Sequence, residues 1–280
     1  MPTETVAVTT PDVVRPSQAD RLTAGRRRQR RMTIAVWVTR LALLAGLLAG
    51  WAALTHSVHW SLMLGTPRNV WHVLRSWASQ GGFWSDIGWT LLEAAIGYGV
   101  GVLAAVVLVA LIVPLPGLAR FAAPFIAMAN ALPKIVLAPV FILWLGFSLR
   151  SKVLFVASGI FFVIFYGVYA GVRSIDRVLA DNQRVLGSSR LGLVRNVYLP
   201  SVVGWLISSL RLSAAWALTA AVVSEYLGSN QGVGFRIAQA QQTLDPSAVL
   251  AGIVVVAVVA VICDRVLVLV ERRFSQWRVF

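Results

Sequence analysis

Apolar residues along this chain neither alternate, as in a half-buried strand, nor keep to one face of a helix. They run on almost without interruption six times, over 33–55, 87–113, 122–146, 151–172, 201–226 and 248–271. Each run reaches the length of about 20 residues that a helix needs to cross a hydrocarbon core of ~30 Å. Lipid offers the backbone no other solution within a single segment, since every amide must bond inside it. The pattern predicts an all-α integral membrane protein with six transmembrane helices. The membrane region fills 33–274, between a basic tail, 1–32, read as disordered, and a short tail, 275–280.

Composition agrees. The chain is 58% hydrophobic and 13% charged, with mean hydropathy +0.76, against about 45–50% and about 25% in soluble domains. The 25 Lys and Arg outnumber the 11 Asp and Glu, a balance that in a soluble chain would raise nucleic acid as a partner. Position decides otherwise. With the first tail inside, most basic residues fall in cytoplasmic stretches, among them Arg26, Arg27, Arg28, Arg30, Arg31, Arg173, Arg177, Arg184, Arg190 and Arg195. Arg68, Arg75, Arg150, Lys152 and Arg236 fall outside. The positive-inside rule then puts both termini in the cytoplasm, with Arg26–Arg31 at anionic lipid headgroups and no nucleic-acid role. The first run is too long for a signal-peptide core and five more follow, so it reads as an uncleaved anchor.

Several chemistries lack their residues. Cys263 is the one cysteine and lies in an apolar run, so no disulfide, CxxC or thiol chemistry is indicated. His56, His59 and His72 lie outside the runs. A phosphate loop needs Gly-rich backbone ending in Lys then Ser or Thr, and Lys134 in Leu-Pro-Lys-Ile and Lys152 in Arg-Ser-Lys-Val have no such context. The chain itself is therefore not expected to hydrolyse ATP or to hold a cofactor or metal. Gly97, Gly99 and Gly101 lie within an apolar run with no preceding strand, and Gly232 and Gly234 lack a third glycine; neither set is a dinucleotide loop. Gly46/Gly50, Gly97/Gly101 and Gly167/Gly171 are GxxxG pairs instead, suited to close helix packing in lipid.

The loop 173–200 is long for a connector and reads as structured. Gly187 can end a first short helix in the left-handed conformation, Ser188 or Ser189 can cap a second, and Pro200 opens the next run. In the second helix Leu191, Val194, Val197 and Tyr198 share a face, with Arg190 and Arg195 elsewhere, so it is amphipathic. It suits either a lipid interface or a partner's groove.

These residues resemble the cytoplasmic loop of permease subunits of binding-protein-dependent ABC importers: E-A-A, three residues, G, nine residues, I-x-L-P. Here it runs Asp181-Asn182-Gln183, then Gly187, then Val197-Tyr198-Leu199-Pro200. The spacing matches, with Asp for Glu, Asn and Gln for the alanines, and Val for Ile. The resemblance extends over about 62–272, through Ala131-Leu132-Pro133-Lys134, Leu143-Trp144-Leu145-Gly146, Val223-Ser224-Glu225-Tyr226 and Gly232-Val233-Gly234-Phe235. It is closest to the subgroup handling nitrate, sulfonates, taurine and thiamine-precursor-like solutes. It implies a homodimeric permease in a bacterial cytoplasmic membrane, with a second permease copy and an extracytoplasmic solute-binding protein as partners. It also implies two copies of an ABC ATPase subunit, which hold ATP and Mg. The loop, with Asp181, Gly187, Ser188, Ser189, Arg190, Leu191, Val194, Val197, Leu199 and Pro200, would be the coupling helix between the fourth and fifth spans.

Charges within spans are costly and so are candidates for function: Arg40, Glu93, Lys134, Arg211 and Glu225. Arg40 snorkels to headgroups. Lys134 follows Pro133 in a run that also holds Pro124 and Pro139, and a broken helix near the midplane is where transport sites are built. Its ammonium either attracts an anionic solute or pairs with Glu93 or Glu225. Glu225, beside Ser224, belongs either to an outer gate or to a bridge with Arg236. Asn130, Tyr166 and Trp216 complete the candidate path, and the Trp-rich stretch 56–86 offers a docking surface outside. The rival reading is a self-contained ion-coupled secondary transporter or channel, which calls for inverted repeats and coupling carboxylates; a membrane-embedded enzyme lacks its motifs.

Overall fold

The computed structural model describes residues 18–112, 116–175, 178, 182–183, 185–193 and 199–275, all helix, turn or loop. The helices are α1 (Gln18–Leu54), α2 (Val58–Leu64), α3 (Pro67–Ala78), α4 (Gly81–Ile112), α5 (Pro116–Ala131) and α6 (Lys134–Leu145). They continue with α7 (Leu149–Arg173), α8 (Arg190–Leu193), α9 (Leu199–Leu227), α10 (Val233–Gln242) and α11 (Pro246–Ser275). Residues 1–58 and 59–280 form two units.

In the first unit α1 starts at Gln18, upstream of the apolar run, rather than after a disordered tail reaching to residue 32. Ala19, Arg21, Leu22 and Ala24 are strong helix formers and extend the apolar helix toward the N-terminus. Residues 1–17 of that tail lie outside the described residues. At the other end the hydroxyl of Thr55 donates to the carbonyl of Trp51 at 2.9 Å.

In the second unit α4, α7, α9 and α11 are each long and apolar enough to span a bilayer, as is the part of α1 from Met32 to Leu54 in the first. The run 122–146 is not one straight span. It divides into α5 and α6, bent by 91° about Leu132–Pro133. Pro133 has no N–H and drives Leu132 out of helical conformation, so the ladder cannot continue across it. Among the described residues five helices are therefore long and apolar enough to cross a membrane, or six if the bent pair counts as one.

Helix α7 is the centre of the bundle. Val156, Ile160, Ile164 and Val168 along it are buried with Ala105 and Val109 of α4 and Leu218 and Ala221 of α9. The approach is closest at glycines, as expected where lipid supplies no hydrophobic drive. A methyl group on Gly97 would lie 2.5 Å from Val156 Cβ, and one on Gly101 2.8 Å from the carbonyl oxygen of Ala157. A methyl group on Gly171 of α7 would likewise lie 2.8 Å from Trp205 Cβ of α9. A smaller apolar cluster, Phe83, Val233 and Val255, joins α4, α10 and α11.

Overpacking of this kind costs about 1–3 kcal/mol. Gly97→Val should therefore lower the melting temperature in detergent, whereas Gly99→Ala, with nothing within 4 Å, should leave it unchanged or raise it. Thermal unfolding of the two variants separates tight α4–α7 packing from a loose bundle.

Candidate functional site: a broken-helix cavity and a buried polar cluster

The break at Pro133 leaves carbonyls at the end of α5 without helical partners. Lys134 turns back on them. Its ammonium donates to the carbonyls of Asn130 (2.7 Å), Leu132 (3.1 Å) and Ala129 (3.2 Å) and sits 4.2 Å from the centroid of the Phe162 ring. The charge thus stands at a helix C-terminus and over an aromatic face, both of which favour a cation. The bonds of Lys134 are to these carbonyls and not to Glu93 or Glu225.

Beside this corner lies a cavity of about 470 Å³. Asn130 and Lys134 line it from the break, Phe162 and Tyr166 from α7, and Trp216 and Thr219 from α9. The structure therefore brings together four residues of the candidate path, Asn130, Lys134, Tyr166 and Trp216. The remaining walls are mostly apolar, so the cavity offers a solute aromatic faces, a few hydrogen-bonding groups and one positive charge.

Ser224 and Glu225 lie elsewhere. The hydroxyl of Ser224 donates to the Ala221 carbonyl of its own helix at 2.7 Å. Glu225 belongs to a polar cluster at the end of the bundle where α4 and α7 begin and α9 ends. Asp86, Thr90 and Glu93 follow one another along one side of α4, at the spacing that keeps a helical face. They receive the start of α10. The N–H of Gly232 donates to Asp86 Oδ1 at 2.8 Å, that of Val233 to Thr90 Oγ1 at 3.0 Å, and that of Gly234 to Glu225 Oε2 at 2.8 Å. The Thr90 hydroxyl donates to the Glu225 carboxylate at 2.7 Å from Oε1 and 2.9 Å from Oε2. Three N–H groups that a helix start leaves unsatisfied are thus met by side chains of α4 and α9.

Two further pairs complete the cluster. Lys152 of α7 bonds Glu93 Oε1 at 2.7 Å and Ser229 Oγ at 2.6 Å. Sequence position puts Lys152 among the outward basic residues, yet only 4% of its side chain is exposed; the carboxylate of α4 holds it inside. Arg236 pairs with Asp86, not with Glu225, and lies over the rings of Trp77 and Phe83. Gly232 and Gly234 have a role that no phosphate-loop reading supplies. A methyl on Gly232, whose φ is +103°, would fall 2.1 Å from Glu225 Oε1, and one on Gly234 2.2 Å from the Val222 carbonyl. Glycine is what lets the backbone close on the carboxylate.

In the loop after α7 the hydroxyl of Ser189, not Ser188, caps α8, accepting the N–H of Gly192 at 3.1 Å. Gly187 has φ +79°, and the N–H of Ser188 reaches back to the Gln183 carbonyl at 3.0 Å, a helix-ending motif built on a left-handed glycine. Val185 and Leu186, absent from the sequence-based set, are 87% and 77% exposed. Their signal was two adjacent apolar residues just before a helix-ending glycine. Arg190, Leu191, Leu199 and Pro200 are described in backbone only, and Asp181, Val194 and Val197 lie outside the described residues.

The described residues thus form a bundle of long apolar helices with a bent helix pair, a cavity beside the bend and a buried polar cluster at one end. The chain belongs to the family of binding-protein-dependent transport system inner membrane components, whose profile matches residues 97–276. It is an importer permease, a multi-pass protein of the plasma membrane. It is 29% identical to SsuC of Bacillus subtilis, a permease protein named for aliphatic sulfonates transport, over 86% of this chain and 88% of that one. It is 27% identical to the taurine transport system permease protein TauC of Escherichia coli, over 81% and 84%. A crystal structure of an amino acid ABC transporter with histidines shares the fold, with TM-score 0.56 and 16% identity, over 68% of this chain and 92% of that one.

Removing one partner of a buried ion pair costs about 3–5 kcal/mol. Lys152→Met should therefore destabilise the protein strongly in detergent, and adding Glu93→Leu should recover most of the loss. Thr90→Val, which strips the Val233 N–H of its acceptor, should cost about 1–3 kcal/mol; thermal unfolding checks all three.

Proposed function

We propose that this permease takes a small organic anion, sulfonate-like, from an extracytoplasmic binding protein and passes it through the cavity at the α5–α6 break. Two copies of the chain form the path, and two copies of a separate ATPase subunit, holding ATP and magnesium, drive it. The observation that carries this reading is the cavity itself: Lys134 fixes a positive charge on a wall that Asn130, Tyr166 and Trp216 share. The names of the relatives, for sulfonates and taurine, fit an anionic solute.

The orientation rests on charge. With six spans, the bent pair counting as one, the basic loop after α7 is cytoplasmic, as are the tails 1–32 and 275–280 flanking the permease region 33–274. The polar cluster and the exposed Trp71 and Trp84 are then on the outer side. The loop from Asp181 to Pro200 is the coupling element, with Val185 and Leu186 offering its apolar contact to the ATPase. A short helical element seated in a groove is a common recognition mode, and closure of two ATPases would move two helix bundles as rigid bodies. Phe121, Met128, Leu143 and Trp144, all well exposed, supply apolar surface for the second copy and for lipid.

Affinity purification in mild detergent should bring down an ATPase subunit, and Leu186→Asp or Gly187→Asp should abolish this while leaving the melting temperature of the permease near wild type for Leu186→Asp. A chain that stays alone and transports in proteoliposomes without ATP would overturn the reading in favour of an ion-coupled carrier. Lys134→Met should lower uptake of the anionic solute about tenfold, the equivalent of about 1.4 kcal/mol. Uptake unchanged in a stable Lys134→Met protein would remove the anion-attracting role.

A further inference from the structure

The ammonium of Lys134 has three N–H groups to give, and three carbonyls at the end of α5, those of Ala129, Asn130 and Leu132, already accept from it. The Phe162 ring stands against it at 4.2 Å. The same side chain lines the cavity. An oxyanion entering there meets the positive charge but no free N–H, so it bonds to Lys134 only by taking an N–H from a carbonyl. A carbonyl offers the ammonium a partial negative charge and an oxyanion a full one, which makes the oxyanion the stronger acceptor.

What this exchange releases follows from how the two arms of the bend are held. Helix α6 is fixed at its far end. A methyl group on Gly228, just after α9, would lie 2.6 Å from Ile142 Cδ1 and 2.8 Å from Phe147 Cε1, and the Ser151 hydroxyl donates to the Gly146 carbonyl at 2.8 Å. Helix α5 packs on the main core through Ala119, Ala122 and Ile126, while its Phe121, Phe125 and Met128 are exposed. Between the arms stands Pro133, across which the helical ladder does not run. Lys134 belongs to α6 and grips the carbonyl end of α5, so its bonds bridge the joint.

We propose that Lys134 is a solute-released latch on the α5–α6 bend. With the cavity empty, the lysine bonds across Pro133 and fixes the 91° bend. With an anionic group in the cavity, the ammonium leaves the α5 carbonyls and α5 is free to turn about Leu132–Pro133. The proposal rests on the reading of the cavity as a site for an organic anion. It makes Lys134 a positioning residue as well as a solute contact, and it links occupancy of the path to the shape of its wall. A ligand shifts such an equilibrium only by binding one arrangement better than the other, and the competition for three N–H groups supplies that difference.

Pulsed electron–electron distance measurement on the full-length protein tests this. With Cys263→Ser removing the native thiol, spin labels go at Leu118 of α5 and Leu143 of α6, both exposed. At 1.5 Å of rise per residue these sites stand about 25 Å apart across a right-angle bend and about 35 Å apart if the two helices were collinear. Labelled chains diluted into unlabelled ones report the distance within one chain. Lys134 in place should give a narrow distribution that lengthens by several Å and broadens with saturating butanesulfonate, but not with chloride at equal ionic strength. Lys134→Met should be broad from the start and should not respond. Equilibrium dialysis of radiolabelled butanesulfonate reads binding separately, and the arm with Lys134 in place needs no Lys134 variant to fold. Bound butanesulfonate with an unmoved distance, or a folded Lys134→Met protein with the narrow distribution, overturns the latch and leaves the anionic reading standing. No binding overturns the anionic reading, and the latch with it.

Discussion

Away from water a polar group keeps its place only if another polar group meets it, and at one end of this bundle that constraint fixes how four helices sit. The start of α10 brings three N–H groups that no helix can satisfy internally. Asp86 and Thr90 of α4 and Glu225 of α9 accept them, and Lys152 of α7 binds to the same assembly through Glu93. Any shift of one helix along its axis would leave several of these groups unbonded at once. Apolar packing alone, which tolerates sliding, would not set the register so firmly. The glycines at 232 and 234 follow from the same demand, because a side chain at 232 would displace the Glu225 carboxylate and one at 234 would strike the Val222 carbonyl.

The middle of the bundle is built on the opposite device. Pro133 interrupts the helical ladder, and the carbonyls so released are gathered by the lysine that follows it. The interruption opens room beside α7 and α9, and the lysine leaves positive charge on the wall of the space it helped to open. Irregular backbone within a membrane is tolerated where it lines a cavity. One proline and one lysine therefore produce both the bend and the electrostatics of the proposed path.

Polar residues are sorted between these two places. Asp86, Glu93 and Glu225 are held at the end of the bundle with Lys152 and Arg236, and the cavity is left with a cation and aromatic rings. A solute in the cavity meets no nearby carboxylate on the lining, which suits the anion proposed for it. The loop after α7 is sorted in its own way. Gly187 and Ser189 shape its turns, and Val185 and Leu186 beside them are exposed.

Much of this was decided along the chain. Unbroken apolar runs leave helix as the only backbone that lipid accepts, and the spacing from Asp181 to Pro200, with Leu-Pro-Lys at the break, carried the family. The candidate path residues Asn130, Lys134, Tyr166 and Trp216 were legible because a broken helix and intramembrane polar groups are visible in one dimension. Pairing was not. Lys134 had two carboxylates in view, Glu93 and Glu225; Arg236 was matched with Glu225; and the sequence placed Lys152 outside. Only the packing of α4 against α7 and against the start of α10 assigned Lys152 to Glu93 and Arg236 to Asp86, and only the bend at Pro133 gave Lys134 the carbonyls at the end of α5. Charge and spacing act along the chain, but a choice between partners depends on distances across helices, and those exist only once the bundle has closed.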